Sequence, residues 1–181
     1  MEYLDIVDEK GNPTGKVVER AQAHKEGIRH RTSHVWIVRK QNDKVQVLLQ
    51  KRCATKDSFP GCYDISSAGH IPAGVDYVPS AVRELKEELG IDIAPTELID
   101  CGFHDLSARA AFHGADFVDN QISKVFLLWK DVEAEAFQIQ KEELESVKWM
   151  DFDACMEAVR QNSFKHCIDI TELEIIKEHL K

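Results

Sequence analysis

A chain of 181 residues, 43% hydrophobic and 30% charged, is long enough for one sizeable core and reads as a globular protein. Its formal net charge of −9 repels a polyphosphate backbone at long range, so a nucleic-acid polymer is not expected as partner, whereas a small phosphorylated ligand stays open. No apolar run approaches the ~18 residues of a membrane span, and the acidic, turn-rich start MEYLDIVDEKGNPTG lacks the regions of a secretory signal.

In chain order, YLDIVDEKGNPTGKVV predicts two short strands around a Gly-Asn-Pro turn, and SHVWIVRKQNDKVQVLLQKR a stronger hairpin turning at Gln41 to Lys44. YDISSAGH reads as a short strand leading into the turn IPAG. A helix is expected from about Pro79 to Leu89, stopped by Gly90. ELIDCGFHDL, ISKVFLLWK and ESVKWM are further strands, with helices over DFDACMEAVRQN and ITELEIIKEHL. Between two of these strands, SARAAFHGADFVDN (107–120) shows no sustained period and reads as a surface loop, although Arg109, Phe112 and His113 have the chemistry to read a base or sugar. Trp36, Trp129 and Trp149 fall in strand-like runs and are expected in the core. Strands mixed with helices and joined mostly by hairpins imply an α+β fold with a mixed sheet. Cys53, Cys62, Cys101, Cys155 and Cys167 are odd in number and form no C-x-x-C pair, so free thiols in a reducing cytoplasm are expected.

The helix SAVRELKEEL carries the functional signal. Glu84, Glu87 and Glu88 fall at i, i+3 and i+4, on one arc, while Val82, Leu85 and Leu89 face the core. Three neighbouring carboxylates repel, and a hard divalent cation turns that repulsion into binding; a solvated acidic face is the alternative. The longer stretch GHIPAGVDYVPSAVRELKEELGI (69–91) resembles the Nudix box, G-x5-E-x7-R-E-U-x-E-E-x-G-U with U bulky and aliphatic. Gly69, Arg83, Glu84, Leu85, Glu87, Glu88, Gly90 and Ile91 match in register. One position departs: Val75 stands where the pattern has its first glutamate, with Asp76 beside it as partial substitute or helix cap. In the family that glutamate helps hold the loop and the box arginine, so loop geometry is the property in question.

The resemblance implies a Nudix α/β/α sandwich spanning 1–181 as one domain, with an N-terminal β-hairpin and a C-terminal helical extension. It implies Mg²⁺ or Mn²⁺ held by Glu84, Glu87, Glu88 and the Gly69 carbonyl, Arg83 orienting Glu87, and Glu87 or Glu88 as the base for a water attacking a small-molecule diphosphate, as in MutT-like pyrophosphatases. Glu142 and Glu143 are candidates for a further acid outside the box. IRHRTSHVWIV and LLQKRCATKDSFPGCYDISSAGH are similar to the branch that includes isopentenyl-diphosphate isomerase. That branch places a diphosphate at Arg52 and Lys56 and a second metal near His24, His30 and His70. The isomerase's proton-moving cysteine and glutamate are replaced here by Ala68 and Gln121, which cannot exchange protons at neutral pH. With Asp119 and Gln121 in place of its acids, the second metal site is expected to be compromised. A metal-dependent hydrolase is therefore expected, with the isomerase and a non-catalytic nucleotide-binding module as alternatives. A homodimer is compatible with the sequence.

Overall fold

Ten consecutive buried residues, His30 to Arg39, require a strand covered on both faces, and this decides the architecture. The computed structural model describes residues 2–180. Its elements run β1 (Tyr3–Val7), β2 (Pro13–Glu19), α1 (Arg20–Glu26), β3 (His30–Gln41), β4 (Lys44–Arg52), β5 (Tyr63–Asp64), β6 (Ser67–His70), α2 (Tyr77–Leu89), β7 (Ile99–Phe112), β8 (Ala115–Trp129), β9 (Leu144–Asp151), α3 (Phe152–Arg160) and α4 (Ile170–Lys177). The main sheet runs β5-β4-β3-β8-β7, with β6 also paired to β3 and β9 to β4. The β3–β8 pairing is parallel and the other pairings antiparallel, so the sheet is mixed as expected.

Alternation along β3 sorts its side chains between two cores. Val35 and Ile37 join Leu48, Phe126 and Leu128 beneath Ala81, Leu85 and Leu89 of α2. Trp36 and Val38 join Val47, Leu49, Val125 and Leu127 beneath Phe152 and Met156 of α3 and Leu173 and Ile176 of α4. A helix layer thus covers each face. Trp129 and Trp149 pack against these cores, as the sequence suggests. The β3–β4 turn places Asn42 and Asp43 at φ 51° and 61°, the left-handed pair that a tight hairpin needs.

The YDISSAGH stretch divides into β5 and β6, because β5 pairs with β4 whereas β6 pairs with β3. Residues 107–120 are no loop. β7 and β8 pair without interruption from Phe103–Lys124 out to Phe112–Ala115, turning at His113 and Gly114, both at positive φ. Small and polar residues hide this period, and the continuous ladder, rather than propensity, holds it. The seven-residue α1 also goes unseen in the sequence, since its buried face is Ala23 and His24 alone. All five cysteines are free thiols. No described helix is long and apolar enough to cross a membrane.

Candidate active site

Helix α2 begins at Asp76, whose carboxylate accepts from the Tyr77 N–H, and ends at Gly90, with φ 70° and its N–H on the carbonyls of Leu85 and Lys86. Asp76 is therefore a helix cap. A Cβ at Gly90 would meet Gln138 at 2.6 Å, so close packing of the following loop adds a second reason for glycine. That loop returns along the helix end through Gln138 N–H to Leu89 O and Gln140 N–H to Glu88 O.

The box acids and the strand ends line one cavity of about 400 Å³, within the usual range for small-ligand sites. Glu88 is buried; its Oε2 accepts from the Ser67 hydroxyl at 2.6 Å and the Ala68 N–H at 3.3 Å. Burial lifts its carboxyl to about 8 despite the Ser67 bond. Burial likewise lifts Glu84 to about 7, against the pull of Arg83. Arg83 donates to Glu87 at 3.0 Å, as expected, and also to Glu84 at 2.6 Å. Gly69 lies against Glu84 so closely that a Cβ there would overlap the carboxyl group. A buried and a half-buried carboxyl, both raised toward neutral pH, with a third beside them, make a hard-oxygen donor set suited to Mg²⁺ or Mn²⁺.

The loop around Val75 is held by a carboxylate from outside the box. Asp5 of β1 accepts from Arg31 Nη2 and from the Gly74 N–H, each at 2.9 Å, and Arg31 Nη2 also donates to the Val75 carbonyl at 2.8 Å. Ala73 N–H donates to Tyr3 O at 2.8 Å, and Leu4 bridges Pro72. The N-terminal hairpin thus braces the loop that positions Gly69.

Arg52 and Lys56 both line the cavity, but neither is free. Arg52 donates to Asp64 at 3.0 Å and to the Ser58 carbonyl, and Lys56 pairs with Glu143. Of the two acids suggested outside the box, Glu143 reaches the cavity and the exposed Glu142 does not. Ala68 and Gln121 also line it, a methyl and an amide where the isomerase branch has its proton-moving groups.

The three histidines suggested for a second metal site converge. His24 from α1, His30 from the start of β3 and His70 from the end of β6 bring ligand atoms within 4.8 Å of one another. His24 Nδ1 lies 2.9 Å from the Arg20 carbonyl and His30 Nδ1 2.8 Å from the Ile28 carbonyl, which places their protons on Nδ1 and turns Nε2 lone pairs inward. Burial lowers all three imidazoles, His30 to about 4, so they stand neutral. Asp119 Oδ1 lies 3.9 Å from His24 Nε2. His30 Nε2 and Asp119 Oδ1 are both buried without a hydrogen-bond partner among the described residues. Three imidazoles and a carboxylate fit a transition metal.

One polar group in the cavity escapes sequence reading. Glu172 of α4 lies buried against His34 and Trp36 of β3, 138 and 136 positions away, and no spacing rule reveals the pairing.

The NUDIX domain family model matches residues 29–167. An uncharacterized Nudix hydrolase of Clostridium acetobutylicum is 36% identical over 152 residues, covering 84% of this chain and 71% of that one. An isopentenyl-diphosphate Delta-isomerase of Escherichia coli is 27% identical over 158 residues, covering 87% and 81%. A crystal structure of a Deinococcus radiodurans protein, 18% identical, superposes with a TM-score of 0.68 over 97% of this chain and 98% of that one, which shows the shared fold. The chain belongs to the Nudix family and stands among its hydrolases.

Proposed function

We propose that this chain is a divalent-metal-dependent pyrophosphohydrolase, using Mg²⁺ or Mn²⁺, that cleaves the diphosphate linkage of a nucleoside diphosphate derivative or a related small molecule. The carrying observation is the cavity in which Glu84, Glu87, Glu88 and Gly69 share one space with Arg52 and Lys56. Glu84, Glu87 and Glu88, with the Gly69 carbonyl, would hold the cation, which neutralises diphosphate oxygens and lowers the pKa of water. Arg83 keeps Glu84 and Glu87 together at the helix face. Arg52 and Lys56 face the phosphoryl oxygens; Asp64 and Glu143 hold their side chains in place until substrate arrives. As water oxygen bonds to phosphorus, its proton passes to a carboxylate of Glu87 or Glu88, and the phosphorus–oxygen bond to the departing phosphate breaks. His24, His30, His70 and Asp119 would hold a second, softer metal ion. The histidine set keeps the isomerase branch's metal positions, but Ala68 and Gln121 leave no group there to add or remove a proton.

The test is hydrolysis of nucleotide sugars, dinucleotides, alcohol diphosphates and CoA derivatives with Mg²⁺ or Mn²⁺, products identified by mass. Glu87→Gln and Glu88→Gln should each lower turnover by about a hundredfold or more. Undiminished turnover in both variants would refute the mechanism, and conversion of isopentenyl diphosphate to dimethylallyl diphosphate would refute the reaction class.

A further inference from the structure

We infer that Glu172 of α4, acting through His34, sets what the cavity accepts beyond the diphosphate: a hydroxylated, hydrogen-bonding group such as a pentose, and not an alkyl or alkenyl chain. The inference rests on the reading of this cavity as a diphosphate site. Glu172 lies outside the 29–167 match to the family.

The geometry begins with the sheet. His30, Thr32, His34 and Trp36 alternate onto one face of β3, and His34 stands directly across from Ala68 of β6. Ala68 N–H reaches Glu88, so His34 lies one cross-strand step from a carboxylate of the metal site. Behind it, the Glu172 oxygens lie 3.0 and 3.1 Å from His34 Nδ1, 2.8 Å from Trp36 Nε1 and 3.4 Å from His104 Nδ1. An acceptor-only carboxylate in that place fixes the proton of His34 on Nδ1. Burial pushes the His34 imidazole down, but the adjoining Glu172 carboxylate more than offsets this, and the ring stands above its ordinary value. Asp64 and Asp119 add to that effect. With that proton held on Nδ1, Nε2 is the ring atom left to a ligand. Its neighbour, Thr32 Oγ1, is a long 3.3 Å away, and the Thr32 hydroxyl donates its own proton to Ser123 Oγ at 2.7 Å.

The cavity thus presents a buried imidazole nitrogen, fixed in place by Glu172, whose contact with Thr32 is long. His34, His104 and Gln121 line it together. An alkyl chain placed there would strip these groups of water and return no hydrogen bond, whereas a hydroxyl, which both donates and accepts, would form one with His34 Nε2. Glu172 touches no substrate atom; it is a positioning residue, and its effect is read through His34.

The test uses two five-carbon probes, ribose 5-diphosphate and isopentyl diphosphate, titrated calorimetrically into the full chain with Mg²⁺. Ribose 5-diphosphate should bind at least about tenfold tighter. In Glu172→Gln that preference should shrink toward equality, and the ¹⁵N signals of His34 should shift as Nδ1–H loses its carboxylate acceptor. His34→Gln, which leaves Glu172 its Trp36 and His104 partners, serves as the second variant if Glu172→Gln fails to fold. Equal affinities, a reversed order, no binding of either probe, or a preference intact in the folded variants would overturn the inference. A chain that binds the probes in the stated order yet hydrolyses no diphosphate would fail the hydrolase reading alone.

Discussion

Titrating the protein with Mg²⁺ at a series of pH values should release protons, in numbers that the burial of α2 dictates. Glu84 and Glu88 are lifted by desolvation to about 7 and about 8. A cation bound by both needs both ionised, so each proton still held must leave. At pH 6 the two carboxyls together hold about two protons, at pH 7.5 about one, and at pH 9 close to none. The apparent affinity should therefore rise about a hundredfold per pH unit below pH 7, about tenfold between pH 7 and 8, and level off above. The buried histidines do not add to the count, because His24, His30 and His70 are pushed down and already neutral, His30 to about 4.

The same shifts carry a stability consequence. Both folded values lie above the ordinary 4.5 of a glutamate. Their contribution is thus fully present below about pH 4.5 and is lost as pH rises through 7 and 8, on the order of a few kcal/mol for each. Without metal, the chain should melt lower at pH 8.5 than these groups allow at pH 6, and Mg²⁺ should restore more at the higher pH. Calorimetry in two buffers of different ionisation enthalpy counts the protons. Glu88→Gln should remove about one of the two released at pH 6. A flat affinity from pH 5.5 to 8.5 with no proton release at pH 6 would refute the assignment of these carboxyls as ligands.

Gly69→Ala would force the Glu84 carboxyl away from the strand it lies against, and turnover should fall about a hundredfold with the melting transition retained; a kinetic assay beside a thermal melt checks this. Asp5→Ala strands the buried Arg31 and the Gly74 N–H, so urea denaturation should show a loss of about 3–5 kcal/mol, with weaker Mg²⁺ binding in the folded fraction. His30→Ala removes one of three converging imidazoles, and elemental analysis after incubation with Zn²⁺ or Mn²⁺ and dialysis should show the second metal lost. An unchanged metal content would show that the histidines hold none.

What the sequence discloses and what it hides follow from range. The α2 helix, its Gly90 stop and the Asn42–Asp43 turn are local, each set by a few adjacent residues, and they are legible. The β7–β8 ladder is not, because Ser107 to Asn120 offers small residues whose strand state depends on cross-strand partners. Helix α1 is too short to show a period, yet it carries His24 into the histidine cluster. Glu172 reads as one more charge on the closing helix; only the fold puts it against His34.

Val75 shows the same limit from the opposite side. Within the box, valine for glutamate reads as a lost brace, since the motif records only what lies between Gly69 and Ile91. A loop needs its backbone groups held, and the holder has no obligation to be near in sequence. Here a carboxylate enters from β1, takes the Gly74 N–H directly, and fixes an arginine that takes the Val75 carbonyl. The charge that the box lacks at position 75 is supplied at position 5, so the departure moves the brace without removing it. The N-terminal hairpin is then part of the frame that holds the box loop, and the box cannot be judged intact or broken without it.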